Sequence, residues 1–172
     1  MALSLGKILD RFFRGWCLGR ARLDAPLTPG QIAWARRFIT VRTFPDAGDK
    51  PLVILCPWRS DGDGSHTAED VEFWDSFVAR WNGRVRFWQF GRIGQGAVQG
   101  CEYYHLVSSR SERSRKTAAL VNEAVGFVGV ESGASRAAET LARPSLVLPG
   151  AGPGAAAESG TKLDAYLEGL LR

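Results

Sequence analysis

From residue 51 onward, short continuous apolar runs alternate with stretches of helical period. Residues 52–56 (LVILC) are apolar throughout, as in a parallel strand buried on both faces. Residues 67–81 carry Val71, Trp74, Phe77 and Val78 as one stripe, with Thr67 as cap and Glu69 and Asp70 in the first turn. Asn82-Gly83 stops that helix. Further strands are predicted at 85–90, 103–107, 125–130 and 145–148, and further helices at 111–122 and 133–142. Residues 150–160 read as a Gly/Ala/Pro loop, and Thr161 as the cap of a closing helix that runs to Leu171. This alternation predicts an α/β fold: one open parallel sheet with helices on both faces.

Ahead of that body, Leu5, Ile8, Leu9, Phe12, Phe13 and Trp16 recur at the spacing of one helical face. Residues 3–18 therefore read as an amphipathic helix. Two uses are open: a peripheral contact with an anionic membrane, or packing on the domain or a partner. Residues 23–50 read as a connector in which Thr28 or Pro29 opens a short helix through residues 31–38. Three segments result: 1–49, a basic helix and connector; 50–150, the sheet domain; 151–172, a Gly/Ala-rich loop and final helix.

Charge refines this division. Residues 1–42 hold eight Lys/Arg against Asp10 and Asp24, a balance of +6, whereas residues 43–172 hold 14 basic and 16 acidic residues. The basic character belongs to the leader, and no nucleic-acid-binding motif accompanies it. No run approaches the roughly 20 apolar residues of a membrane span. Cys17, Cys56 and Cys101 are widely spaced and odd in number, which argues against a zinc site or a disulfide framework. They read as reduced thiols of a cytoplasmic protein, with Cys56 in the core.

The candidate chemistry lies in residues 126–150, GFVGVESGASRAAETLARPSLVLPG. An apolar run, a Gly/Ser turn, an alanine-rich helix and a second apolar run make a βαβ unit. A helix opening after such a turn presents unpaired N–H groups and partial positive charge, a ready phosphate site. Ligands of open parallel sheets sit beyond the carboxyl ends of the strands. There the loops at 57–65, 91–100, 108–111, 131–135 and 149–154 are expected to converge. For Glu131 to Arg136 the bland reading is a plain strand-to-helix turn. Trp58 is equally a structural residue at a loop edge, and His66, His105 and the basic run Arg110 to Lys116 read as structural or solvated.

Three pieces resemble the C-terminal, donor-binding half of the ADP-heptose:lipopolysaccharide heptosyltransferases, glycosyltransferase family 9, of GT-B architecture. They are LVILCPWRSDGDGSHTAEDVEFWDSF, RVRFWQFGRIGQGA and SRKTAALVNEAVGFVGVESGASRAAETLARPSLVLPG, the third being the most specific. The likeness covers roughly residues 50–150 and implies a Rossmann-like domain that grips a nucleotide-diphosphate sugar. By that resemblance Ser132, Gly133, Ala134, Ser135 and Arg136 take the diphosphate, and Glu131 holds a ribose hydroxyl or orients the turn. Trp58 and Arg59 in the first loop and Gln95 in the second join the donor site.

The sequence departs from the family pattern at four points. Arg136 stands for the family's histidine, and arginine still pairs with phosphate but does not titrate. Ser65-His66-Thr67 stands where the first-loop lysine is expected, leaving Arg59 or His66 to supply positive charge. Gln95 replaces the acidic ribose ligand. Residues 1–49 hold no counterpart of the acceptor-binding half with its catalytic aspartate, so a partner protein supplying that half is expected.

The resemblance implies glycosyl transfer in lipopolysaccharide or related cell-surface glycan assembly, by displacement at the anomeric carbon. The donor is a nucleotide sugar of ADP-heptose type, with no metal or other cofactor and no nucleic acid. No catalytic base is assigned. The alternative is a non-catalytic half-enzyme or scaffold that binds a nucleotide sugar or a partner protein. Either would sit in the cytoplasm, at the inner membrane face if residues 3–18 touch lipid.

Overall fold

The computed structural model describes residues 26–42, 48–58, 67–91, 96–104, 110–148 and 156–172. The strands are β1 (Leu52–Cys56), β2 (Arg86–Phe90), β3 (Glu102–Tyr104), β4 (Gly126–Val130) and β5 (Ser145–Leu148). The helices are α1 (Pro29–Arg42), α2 (Ala68–Trp81), α3 (Arg110–Glu123), α4 (Gly133–Thr140) and α5 (Ala156–Leu170). All strand pairs are parallel, in the order β3-β2-β1-β4-β5. The chain thus builds outward from β1 to one edge, then crosses back to β4 on the other side. β1 and β4 flank the switch point, in register with Cys56 opposite Gly129.

The period-2 geometry of β1 divides the core. Leu52, Ile54 and Cys56 pack with α1, α3 and α4, while Val53 and Leu55 pack with α2 and α5. Every residue of β1 and of β4 is buried, which is why both read as unbroken apolar runs. Trp74, Phe77, Phe87 and Phe127 are fully buried. Each stabilises the fold by about 1.5–3 kcal/mol relative to an exposed side chain.

α2 begins as expected. Thr67 is its cap, in a reciprocal box where the Thr67 hydroxyl accepts from Asp70 N and the Asp70 carboxylate accepts from Thr67 N. α1 is longer than the expected 31–38. Thr28 and Gln31 form a second reciprocal pair, with Gln31 N donating to Thr28 Oγ1 at 3.3 Å and Thr28 N to Gln31 Oε1 at 2.9 Å. Pro29 takes the first helical position, where its missing N–H costs nothing.

Packing extends the domain beyond residues 50–150 at both ends. Phe38 of α1 meets Trp88 edge-on at 6.0 Å, and Ala35 is fully buried. Leu163 and Leu167 of α5 are fully buried against the opposite face. Thr161 is not a cap: α5 starts at Ala156, so the expected loop at 150–160 is helical from 156 onward. Burial of Ser159, Leu163 and Leu167 against the sheet domain outweighs the low helix propensity of Gly160. β3 ends at Tyr104, and the remainder of the expected 103–107 strand lies outside the described residues. No helix among the described residues is long and apolar enough to cross a membrane.

Candidate functional site

The switch point forms first from a close approach. Gly129 has φ +152°, and a Cβ there would stand 2.2 Å from the Cys56 carbonyl oxygen. Only glycine fits between the two strand ends. One turn further, Ser132 leaves the strand in extended conformation and caps α4.

Ser132 and Ser135 lock each other. Ser135 N donates to Ser132 Oγ at 3.2 Å, and Ser132 N donates to Ser135 Oγ at 2.9 Å. The Ser135 hydroxyl also donates to Ser132 O at 2.9 Å. The Ser132 hydroxyl lies near the Cys56 thiol and favours its ionised form. Both hydroxyls are buried and engaged, so they build the turn rather than standing out as phosphate donors. Arg136 N closes onto Ser132 O at 3.3 Å. Among the described residues, Gly133 N and Ala134 N are left without a backbone or capping partner at the head of α4. Gly133 is exposed, with nothing within 4 Å of where its Cβ would be, so a ligand has room to approach that backbone.

Arg136 stands beside this turn. Its Nη2 donates to Glu131 Oε1 at 2.9 Å, with the Glu131 side chain 61% exposed and that of Arg136 33%. The Glu131 carboxylate is thus spent on the arginine of the same turn. Burial pushes the Cys56 thiol up to about 12, with the Ser132 hydroxyl and a Phe90 backbone contact opposing the shift. The thiol is a packed core group there, not a nucleophile.

Trp58 belongs to the core. It is buried against the α2/α5 side, and its indole N–H donates to Gly96 O at 2.8 Å. Gly96 O also accepts from Gln89 Nε2 at 2.9 Å, and Gln89 Oε1 accepts from Val98 N at 2.7 Å. Gln89 is fully buried, and sequence reasoning missed it. The available signal was one amide in the otherwise apolar second half of RFWQF. Its side chain substitutes for missing backbone partners where the chain leaves β2. Trp58 and Gln89 thus fix the exits of β1 and β2 to each other. Arg59, His66, Gln95 and His105 lie outside the described residues.

The class defined by these features is an α/β domain of doubly wound type, with a helix N-terminus presented at its switch point. The chain is similar to E. coli heptosyltransferase WaaC with ADP-2-deoxy-2-fluoro heptose, at 18% identity and a TM-score of 0.48. It is likewise similar to E. coli heptosyltransferase WaaC with ADP, at 17% identity and a TM-score of 0.48. The matches cover 98% of this chain but only 57% and 56% of those chains, so it spans little more than half their length. No protein-family model and no curated protein matches the sequence.

Proposed function

We propose that this domain is the donor-binding half of a glycosyltransferase, gripping the diphosphate of a nucleotide sugar at the head of α4. One observation carries the reading. The Ser132/Ser135 box fixes the turn that carries Arg136 and, among the described residues, leaves Gly133 N and Ala134 N without a backbone or capping partner. Two amides, the helix dipole and a guanidinium together suit an oxyanion. The sequence resemblance to the heptosyltransferases points to the same turn.

In glycosyl transfer, negative charge develops on the departing diphosphate as the anomeric bond breaks. Groups preorganised around it then lower the barrier. Arg136 would exchange its pairing with Glu131 for the diphosphate oxygens. The acceptor hydroxyl needs a base, which a partner protein carrying the acceptor half would supply. Lipopolysaccharide or a related cell-surface glycan is the proposed setting, at the cytoplasmic face of the membrane. The second reading, a scaffold that binds the nucleotide sugar or a partner without transfer, is favoured by the Glu131–Arg136 pair, which already satisfies the one charged donor of the turn.

Amide-resolved NMR with added ADP tests the assignment. Shifts centred on Gly133, Ala134 and the Arg136 side chain are expected. Shifts confined to other loops, or none, would refute the donor-site reading.

A further inference from the structure

The four longest helices divide by charge. α1 and α3 lie together on one side of the sheet and carry seven Lys/Arg against Glu112 and Glu123. α2 and α5 lie on the other side and carry seven Asp/Glu against Arg80 and Lys162. These two helix pairs thus sum to +5 and −5 in the sequence. Glu112 and Glu123 are engaged locally, with Lys116 and Arg36 respectively. Arg37, Arg42 and Arg115 are exposed. Val41, 73% exposed, sits beside Arg42 on the outer face of α1.

We propose that the α1/α3 side of the domain docks onto an anionic lipid surface. Charge complementarity selects the occupant class, because the acidic side would be turned away by the same field. Val41 among arginines suits a headgroup boundary, where an apolar group enters and guanidiniums meet phosphates. Trp34 and Phe38, the aromatic residues of α1, are partly buried and engaged, Trp34 beneath Lys116 and Phe38 between Trp88 and the Arg42 guanidinium, so they offer no platform for stacked bases. Residues 1–25, outside the described residues, precede α1 directly and add five Lys/Arg against two Asp. The proposal is independent of nucleotide binding.

The test is sedimentation of the full chain with vesicles of phosphatidylcholine alone or with about 30% phosphatidylglycerol, at low and high salt. Binding to the anionic vesicles only, weakened by salt, is expected. An Arg37→Gln/Arg42→Gln/Arg115→Gln variant should bind about 100-fold more weakly, at about fivefold for each charge, with unchanged melting. Val41→Asp, a second exposed change, should also weaken binding. Wild-type-like binding by the triple variant, equal binding to neutral vesicles, no binding to either, or capture of single-stranded RNA instead of vesicles would overturn the proposal.

Discussion

Gly129 and Cys56 meet so closely that a methyl group on Gly129 would stand 2.2 Å from the Cys56 carbonyl oxygen. The switch point depends on this contact, because any side chain there forces β1 and β4 apart where Cys56 stands opposite Gly129. Gly129→Ala is expected to destabilise the fold by about 3 kcal/mol or more, from the overlap and the positive φ together. For a chain of this size that lowers Tm by roughly 6–12 °C, readable by calorimetry. A melting point within a degree of wild type would show that the strands separate easily.

The buried Cys56 thiol gives a pH prediction. Its folded pKa is raised to about 12, from burial above all. The unfolded thiol ionises near 8.5. The folded state therefore holds a proton that the unfolded state releases. The contribution is complete below pH 8.5 and falls as pH rises toward 12, by about 1.4 kcal/mol per pH unit. Cys101, also raised to about 12 by burial with Asp75 and Glu102 assisting, adds to the same alkaline loss. Denaturation midpoints measured from pH 8 to 11 should fall, and fall less steeply in Cys56→Ala. Equal slopes in the two proteins would contradict the buried-thiol assignment.

Gln89 is expected to matter more for stability than any exposed polar residue. Gln89→Leu keeps the volume but strips Val98 N of its acceptor and Gly96 O of one donor. Leaving the buried Val98 amide unsatisfied costs about 1–3 kcal/mol. Hydrogen exchange at Val98 should accelerate in the variant. Unchanged exchange there would mean that the loop holds its shape without the amide.

Glu131 has two readings with opposite forecasts. If its carboxylate only orients the turn, through Arg136, and repels a diphosphate, Glu131→Gln should tighten ADP binding by about fivefold, the worth of one modest exposed charge interaction. If it holds a ribose hydroxyl, the same change weakens ADP while leaving inorganic pyrophosphate untouched. The 2.9 Å contact with Arg136 favours the first outcome.

Much of this fold was legible because its rules are local. LVILC and GFVGV read as central strands since they are buried on both faces, and Thr67 announced its helix by capping chemistry. The α4 turn was found for the same reason. Its serines were read differently: both hydroxyls looked available for phosphate, whereas they close a reciprocal box with Ser135 in the place Glu or Gln usually takes. Tertiary packing hid the rest. Gly160 and Thr161 resemble a break and a cap, yet α5 runs through them, held by the burial of Ser159 before them and of Leu163 and Leu167 after. Trp58 reads equally as a structural loop-edge residue or a donor contact, and its burial and bond to Gly96 depend on a loop nearly forty residues away. Such contacts leave no periodic trace.

Calorimetric titration of the full chain with ADP, beside UDP and GDP and an Arg136→Ala variant, tests the donor-site reading most directly. Saturable binding of at least one diphosphate is expected, weaker by about 10–100-fold in the variant, the worth of one hydrogen bond to a charged group. No binding of any of the three by a folded wild-type chain would contradict the donor site and leave the scaffold reading in its place.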